Sequence, residues 1–422
     1  MLNKCFSTLL SITFFCSTVF GQDYPYPYKN PDMASLTTNI MKSVHEDPFN
    51  KVAKILEVEV IKDRNKTFLL ENQSKFRFSF YPQKKDAPLI FMLADMSGSH
   101  VSGYMAQMAD LFHSAGYNVV GISSPFFWNF VVSSSQSAIP GLTSEDAADM
   151  YQTLQLVLEK IDRLHGPQFT KKAVVGFGFG GLLAAHLSSI ENKERRLGID
   201  QYLLINPVVN IMHAITEIET RTAIALELGM PRVEGIKMQA FGFVVENMGR
   251  ENKVTDPKHF LNLDKKFVLK SPKEYKFLSG AIMRMNIGDT VFVSQQINDL
   301  GVLKQKVYRN LRYGRQKEAD DLGLVGYVKQ IFVPFFSKKY PKLLDILKQS
   351  NFNFVREDIK NNPNVFIMHN ADDFLIDEGQ LEYLSNLVGP ERIKIYPLGG
   401  HLGNLWFKQN QADILNRLSI LK

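Results

Sequence analysis

Short apolar runs and longer amphipathic stretches alternate along much of this chain. KILEVEVI, TFLLEN and KFRFSFYP, between residues 54 and 82, alternate polar and apolar positions, which predicts three antiparallel strands. Later runs are continuously apolar, as buried strands are: APLIFML, YNVVGI, KAVVGF, YLLIN, NVFIM and RIKIY. Amphipathic stretches separate most of them, and the longest ends just before Gly166. This alternation predicts an α/β protein, with a mostly parallel sheet and helices on both faces.

The alternation stops after residue 209 and resumes after residue 350. Residues 210–350 are helical in pattern, Met-rich and basic. We therefore interpret residues 51–209 and 351–422 as two parts of one α/β core, and residues 210–350 as a helical cap inserted into it. Residues 22–50, which include YPYPYKNP, predict an extended N-terminal segment.

The first 21 residues have the pattern of a signal peptide. Lys4 precedes an apolar stretch, and small residues at Val19 and Gly21 suit a cleavage site. A retained anchor is the alternative, but the stretch is shorter than the roughly 20 residues that span a bilayer. We expect export to a periplasmic or extracellular location. Both cysteines, Cys5 and Cys16, would leave with this segment, which excludes disulfide and thiol chemistry in the mature chain.

Positive charge is concentrated in the predicted cap. The formal net charge of the whole chain is +6, whereas residues 251–350 alone carry +9. Within them, residues 322–348 place four lysines beside apolar and aromatic positions: Lys329, Lys338, Lys339 and Lys342. This predicts either a lid with a solvated basic face or contact with an anionic membrane surface. No nucleic-acid recognition motif accompanies the charge, so we expect no nucleic-acid partner. The sequence leaves the oligomeric state open.

The stretch KAVVGFGFGGLLAAH fits two glycine motifs. Gly176, Gly178 and Gly181 match G-x-G-x-x-G, a dinucleotide-binding loop. Gly176 and Gly180 match the G-x-S-x-G nucleophile elbow, with Gly178 in the place of the serine. The dinucleotide motif should follow the first strand of its unit, and an acidic residue should end the next strand. Here the next strand ends in Asn206, which favours the elbow. We see no zinc-type spacing or phosphate loop, and expect neither metal nor cofactor.

Two segments follow the elbow in the order that its partners require, with the acid before the histidine: VFIMHNADDFLI and YPLGGHLGN. A third segment, PLIFMLADMSGSH, precedes the elbow. Together with the elbow, these segments resemble the α/β-hydrolase superfamily, especially its serine-aminopeptidase-like and lysophospholipase-like branches. The resemblance implies Asp373 as the acid, with Asp372 as the alternative, and His401 as the histidine. It also implies oxyanion-hole donors from the backbone of Met96 and Phe179.

Two departures from the family pattern count against serine catalysis. Gly178 has no side chain and cannot form an acyl-enzyme. Asp95 stands where the family has a small residue of the oxyanion loop, and its charge would oppose a developing oxyanion. We treat these as two independent changes. They predict a protein without serine-hydrolase activity that binds a small or lipid-like ligand under its cap. Two alternatives stay open: an enzyme that uses His401 and Asp373 as a base dyad, and a membrane- or partner-binding scaffold with a vestigial cleft.

Overall fold

The structure is a computed structural model. It describes residues 24–44, 53–64, 68–83, 87–96, 98–166, 169, 171–248, 269–308 and 311–422. The expected signal peptide at 1–21, with both cysteines, lies outside the described residues.

A single eight-stranded sheet forms the centre of the described part of the chain, in the order β1-β2-β4-β3-β5-β6-β7-β8. Strand β2 runs antiparallel to β1 and β4, and the other pairs are parallel. The strands are β1 (Lys54–Val58), β2 (Phe76–Tyr81), β3 (Leu89–Leu93), β4 (Asn118–Ile122), β5 (Lys172–Phe177), β6 (Gln201–Ile205), β7 (Val365–Asn370) and β8 (Ile393–Tyr396). The prediction of a strand at TFLLEN is wrong, because Phe68–Gln73 is a 3-10 helix.

Helices cover both faces of the sheet, as the alternation predicted. Strand β3 shows why: Leu89, Phe91 and Leu93 join one hydrophobic cluster, whereas Ile90 and Met92 join the other. Because successive side chains of a strand point to opposite faces, each face needs its own helical layer. The helices of the core are α2 (Gly103–Ser114), α3 (Trp128–Ser133), α4 (Thr143–His165), α5 (Phe179–Glu194), and, after the cap, α14 (Arg356–Asn361), α15 (Glu378–Val388) and α16 (Lys408–Leu418).

The long connection between β6 and β7 is mostly helical where it is described. Its helices are α6 (Ile211–Ala223), α7 (Ala225–Leu228), α8 (Met230–Met248), α9 (Pro272–Arg284), α10 (Ile287–Asn298), α11 (Tyr313–Tyr327), α12 (Val333–Phe336) and α13 (Leu343–Ser350). Residues 249–268 of this region lie outside the described part. Helix α6 follows β6 directly and packs over the carboxyl edge of the sheet, through Ile211 and Ile215. None of the described helices is long and apolar enough to cross a membrane.

The N-terminal segment differs from its prediction. Residues 24–30 are irregular, whereas Pro31–Val44 forms helix α1, and residues 45–50 lie outside the described part. The sequence holds the start signals of this helix: the Asn30 side chain accepts a hydrogen bond from the Met33 N–H at 2.9 Å, followed by a proline and an acidic residue. In front of it, Tyr24 and Tyr26 pack against Phe407. The segment thus lies against the last loop of the core.

A buried ion pair ties this segment to the cap. Arg221 of α6 donates to the Asp32 carboxylate of α1 at 3.0 Å, and both side chains are almost fully buried. The Arg221 guanidinium also lies 3.7 Å from the centre of the Phe374 ring, next to the expected acid. Removing one partner of a buried pair leaves an uncompensated charge, so we expect this contact to hold helix α6 in place.

Candidate functional site

The turn between β5 and α5 has the geometry of a nucleophile elbow. Gly178 has φ 55° and ψ −118°, a region that residues with a Cβ rarely adopt. The flanking glycines permit close backbone contacts: a Cβ on Gly176 would lie 2.2 Å from the Gly180 carbonyl oxygen, and one on Gly180 would lie 2.3 Å from the Leu93 carbonyl oxygen. The geometry of the turn therefore explains these glycines, and it favours the nucleophile elbow over a dinucleotide-binding loop.

The expected acid and histidine meet at the same edge of the sheet. Asp373 follows β7, and its Oδ2 lies 2.9 Å from His401 Nδ1, in the loop after β8. The Leu375 N–H donates to Asp373 Oδ1 at 3.0 Å, which fixes the carboxylate. Asp372 turns away and accepts from the Gly400 N–H at 2.8 Å. The structure thus distinguishes the two candidates: Asp373, not Asp372, faces the histidine.

Three features now coincide: the strand order, the elbow after β5, and an acid and a histidine after β7 and β8. The chain has the α/β-hydrolase fold. The fold class predicted from the sequence is confirmed.

Asp95 occupies the space that the side chain of the nucleophile would fill. A Cβ built on Gly178 would lie 2.2 Å from Asp95 Oδ1, 2.5 Å from its Cγ and 2.9 Å from His401 Nε2. The Asp95 carboxylate reaches this place from the loop after β3. A side chain at 178 would collide with this carboxylate unless Asp95 moved, so positions 178 and 95 compete for one space. The sequence-based view that they are independent is wrong.

The same carboxylate fills the oxyanion hole. The Phe179 N–H donates to Asp95 Oδ1 at 2.8 Å, and the neighbouring Met96 N–H helps to lower the pKa of this carboxylate. Asp95 Oδ2 lies 3.3 Å from His401 Nε2. Of the two backbone donors that the sequence predicted, the Phe179 N–H is thus occupied by an anion of the protein itself. The expectation that Asp95 lies beside the hole is thereby corrected: its carboxylate lies inside it.

His401 is held between two carboxylates. Burial alone would lower its pKa, but Asp373 and Asp95 outweigh burial and raise the pKa to about 10. Burial likewise opposes ionisation of Asp95 and Asp373, yet His401 overcomes it and lowers both of their pKa values. The three groups form an ion triad with two negative charges and one positive charge, so its net charge is −1. With a carboxylate beside each ring nitrogen and a raised pKa, we expect His401 to carry protons on both nitrogens and to act as an acid rather than a base.

Three supporting residues were not predicted from the sequence. Asn206, with φ 48°, donates its side-chain N–H to Asp373 Oδ2 at 2.8 Å. The Tyr104 hydroxyl accepts from the Asp95 N–H at 2.7 Å. The hydroxyl of Ser35 in α1 accepts from the His401 N–H at 2.7 Å. The position of Asn206 at the end of β6 was a usable signal, since strand ends in this sheet face the site. The Ser35 contact joins residues 366 positions apart, and no local pattern indicates it.

A narrow apolar space lies above the ion triad. It is a cavity of about 20 Å³, room for about one water molecule, between the core and helices α6 and α9. Its lining is Asp95, Met96, Phe179, Val208, Ile211, Ala214, Ile215, Ile218, Met283 and Leu375. A second cavity of about 20 Å³ lies on the other side of α6 and shares Ile211 and Ile215 with the first. The cleft under the cap is therefore nearly filled.

Other buried polar residues near the site lie outside the triad. His369 is buried against the carbonyl oxygens of Asn370 and Pro207. The Ser123 hydroxyl accepts from the His100 N–H at 2.9 Å, which gives it a structural partner. Within the described residues, no group of three or more His, Cys, Asp and Glu side chains is placed to hold a metal ion.

Comparisons with known proteins find similarity only at the level of structure. An esterase of Pyrococcus furiosus is 12% identical, over 89% of this chain and 94% of that one, with a TM-score of 0.42. The carboxylesterase CesB of Bacillus subtilis is 12% identical over 91% and 98%, with a TM-score of 0.41. The alpha/beta hydrolase GrgF of Penicillium sp. is 11% identical over 87% and 97%, with a TM-score of 0.39. No family model and no curated protein matches the chain. Similarities of this size bear on neither activity nor substrate.

Proposed function

We propose that this protein has no acyl-serine chemistry and binds a small apolar ligand without negative charge between its cap and the ion triad. One observation carries the proposal: the Asp95 carboxylate takes both the space of the nucleophile side chain and the Phe179 donor of the oxyanion hole. An ester substrate meets no serine oxygen there, and its carbonyl oxygen would face a carboxylate at that donor.

The lining of the cavity defines the chemistry of the ligand. Apart from Asp95, the residues of the first cavity are apolar in their side chains, and so a ligand gains most from hydrocarbon. Two methionines, Met96 and Met283, border this cavity, and Met212 borders the second. Methionine side chains repack at low cost, which lets a nearly filled seam admit a short chain. The net charge of −1 on the triad disfavours a carboxylate or phosphate in the same place.

A homologous series of short amphiphiles tests this proposal. We expect hexylamine and hexan-1-ol to bind, and hexanoate to bind roughly 10-fold more weakly or worse, because it meets the anionic triad. Ile215→Phe fills the space shared by both cavities and should abolish binding of hexan-1-ol. Leu226→Phe, at a cap residue that is 89% exposed, is the matched control and should bind normally. Calorimetry that finds equal affinities for the three probes, or unchanged binding by Ile215→Phe, would contradict the proposal.

A second function, contact with an anionic membrane surface, is favoured by the exposed end of the cap. Leu343 and Leu344 are 49% and 60% exposed at the start of α13. Four exposed lysines lie close to them in the chain, of which Lys339 is paired with Glu145 at 2.7 Å: Lys338, Lys339, Lys342 and Lys348. Exposed leucines among lysines suit the interface of an anionic bilayer, where each basic residue contributes on the order of 1 kcal/mol. Export through the signal peptide at 1–21 would bring the protein to such surfaces, and we propose a periplasmic or extracellular location.

Vesicle sedimentation tests the second function. Vesicles with anionic phosphatidylglycerol should bind the protein, with an affinity that falls as salt rises, and neutral phosphatidylcholine vesicles should not. Leu343→Ser with Leu344→Ser should reduce binding, whereas Tyr313→Ser, at another exposed cap residue, should not. Equal binding to both kinds of vesicle, or none to either, would refute the proposed contact with an anionic membrane surface. Neither result would affect the ligand proposal.

A further inference from the structure

We propose that helix α1 completes the site from outside the α/β core, with Ser35 and Asp32 as its two positioning residues. Ser35 fixes the backbone of His401, and Asp32 fixes the cap helices that line the apolar cavity. The second role rests on the proposed apolar ligand site, whereas the first does not. The two residues are three positions apart, which places them on one face of the helix.

The backbone of the His401 loop lies directly against α1. A Cβ on Gly400 would lie 2.2 Å from the Pro31 carbonyl oxygen. A Cβ on Gly403 would lie 2.1 Å from the Ala34 carbonyl oxygen. Both distances are too short for any side chain, so the glycines on either side of the histidine allow the helix and the loop to touch. The helix and the loop therefore meet backbone against backbone, with little room for movement.

The loop also needs α1 to hold its conformation. Leu402, directly after His401, has φ 59°, which a leucine rarely adopts. Such a conformation persists only where surrounding contacts fix it. The Thr38 hydroxyl donates to the carbonyl oxygen of Leu402 at 2.8 Å. The Ser35 hydroxyl accepts from the N–H of His401 at 2.7 Å. These two hydrogen bonds from α1 fix the backbone before and after the strained residue.

The backbone position of His401 determines how its ring lies between the two carboxylates. The Nδ1 side is short, at 2.9 Å to Asp373, and Asn206 and the Leu375 N–H hold that carboxylate. The Nε2 side is longer, at 3.3 Å to Asp95. A small shift of the loop therefore lengthens the contact with Asp95 first. Asp95 is one of the two charges that raise the pKa of His401, so such a shift lowers that pKa.

Asp32 connects the same helix to the cap. Its Oδ1 accepts from Arg221 Nε of α6 at 3.0 Å and from the Ser279 hydroxyl of α9 at 2.9 Å. Helices α6 and α9 are themselves in close contact, since a Cβ on Gly280 would lie 2.6 Å from Arg221 Cβ. Both helices line the first cavity. One carboxylate of α1 therefore sets how far this pair of helices lies from the ion triad.

A ligand must work against this contact. The cavity of about 20 Å³ is far smaller than a six-carbon alcohol, so admission of a ligand requires α6 and α9 to move away from the core. Arg221 also pairs with Glu217 on its own helix, so this movement leaves its charge with a partner. The contact of Asp32 with the cap can thus open, and its strength contributes to the affinity for the ligand.

Side-chain nitrogen NMR tests the role of Ser35. We expect Ser35→Ala to lower the pKa of His401, because the loop relaxes. Thr37→Val is the matched control, since the Thr37 hydroxyl donates to the Gly403 carbonyl at 2.6 Å in the same interface. It should lose stability but keep the pKa of His401. Burial lowers the pKa of the nearby His369, whose signal stays that of a neutral ring. An unchanged pKa in Ser35→Ala, or an equal fall in both variants, would overturn the role of Ser35.

Calorimetry with hexan-1-ol tests the role of Asp32. Asp32→Asn keeps the acceptor oxygen and removes the charge, so we expect binding roughly 5-fold tighter than in the wild-type chain. If this variant does not fold, Ser279→Ala removes one donor and should act in the same direction by less. The control Glu274→Gln weakens a cap ion pair with Arg232 that does not involve α1, and should leave the affinity unchanged.

The outcomes separate this role from the ligand site itself. Unchanged or weaker binding of hexan-1-ol by Asp32→Asn and Ser279→Ala overturns the role of Asp32, and the ligand site stands. If hexan-1-ol binds to none of the chains, the ligand site falls and the role of Asp32 falls with it. The NMR measurement on Ser35→Ala needs no ligand, so it decides the role of Ser35 in either case.

Discussion

The two sides of the site differ in how they are built. On one side, Asp373 and His401 have the arrangement that the order of motifs led us to expect, and Asn206 supports it with a hydrogen bond to Asp373. On the other side, Gly178 has no side chain, and the Asp95 carboxylate from the loop after β3 fills the space above the elbow. The comparison teaches that local motifs predict the first side, whereas the second depends on a contact between distant residues that gives His401 a carboxylate on its other nitrogen.

The largest effect that we expect is on how the free energy of unfolding depends on pH. The pKa of His401 rises from its ordinary value near 6.5 to about 10 on folding. A raised pKa of this kind contributes stability that is fully present below about pH 6.5 and is lost as the pH rises through about 10, in total as much as about 5 kcal/mol. Urea unfolding of the wild-type chain from neutral to alkaline pH should show this loss, and His401→Gln should flatten it. Equal slopes in the two chains would contradict the ion triad.

The two carboxylates of the triad change stability with pH in the opposite direction. The pKa values of Asp95 and Asp373 are lowered on folding, so their contribution is present above about pH 4 and is lost as the pH falls through the depressed values.

The next largest effect compares the two carboxylates. Asp373 is 1% exposed and has three hydrogen-bond donors, namely His401, Asn206 and the Leu375 N–H. Asp373→Ala should therefore cost roughly 3–5 kcal/mol of unfolding free energy, since it strands buried donors and a buried charge. Asp95 is 16% exposed, and Asp95→Ala should cost about half as much. Chemical denaturation of the two variants at neutral pH measures the difference, and a larger loss for Asp95→Ala would reverse our view of which side is the more rigid.

A smaller effect tests whether positions 178 and 95 are coupled in stability. Gly178→Ser places a side chain against the Asp95 carboxylate in a strained backbone region, and should destabilise the protein by roughly 1–3 kcal/mol. Asp95→Gly removes the obstacle, so the double variant should be more stable than the sum of the single changes predicts. Additive free energies of unfolding would show that the two positions do not interact.

The same pair of variants has a readout in chemistry. The wild-type chain should not label with a serine-directed fluorophosphonate, because Gly178 offers no oxygen. Gly178→Ser alone should label weakly, since Asp95 still fills the oxyanion hole, and the double variant should label most. Labelling of the wild-type chain that survives in Gly178→Ala would reveal a nucleophile elsewhere.

The smallest structural change concerns export. Cleavage of the expected signal peptide should give a mature chain that starts near Gln22 and contains no cysteine. Intact-mass measurement of the exported protein determines this, and retention of residues 1–21 would contradict it.

Strand positions and the acid and histidine could be predicted from the sequence because they follow local rules. Apolar runs mark buried strands, and the segments around Asp373 and His401 keep motif spacing. Helix α1 carried a readable start at Asn30, but its tyrosine-rich approach favoured an extended interpretation. The Phe68–Gln73 turn alternated like a strand and was too short to be distinguished by period alone.

The position of the Asp95 carboxylate above Gly178 could not be predicted, because it depends on a contact between residues 83 positions apart. The sequence indicates a charge in the oxyanion loop, but not whether the side chain points beside the hole or into it. That choice is made by the Tyr104 hydroxyl and the Phe179 N–H, which hold the loop and the carboxylate in place. The small volume of the cleft could not be predicted either, because it results from packing between Ile211, Ile215 and the core.

The protonation state of His401 tests the central claim most directly. Nitrogen NMR of the histidine side chains distinguishes an imidazolium from either neutral tautomer. We predict that at about pH 8 the wild-type chain shows His401, identified by its loss in His401→Gln, with protons on both nitrogens, and that Asp95→Asn lowers its pKa. A neutral His401 at that pH in the wild-type chain, or a pKa that Asp95→Asn leaves unchanged, would show that Asp95 does not occupy the nucleophile's place as a partner of this histidine.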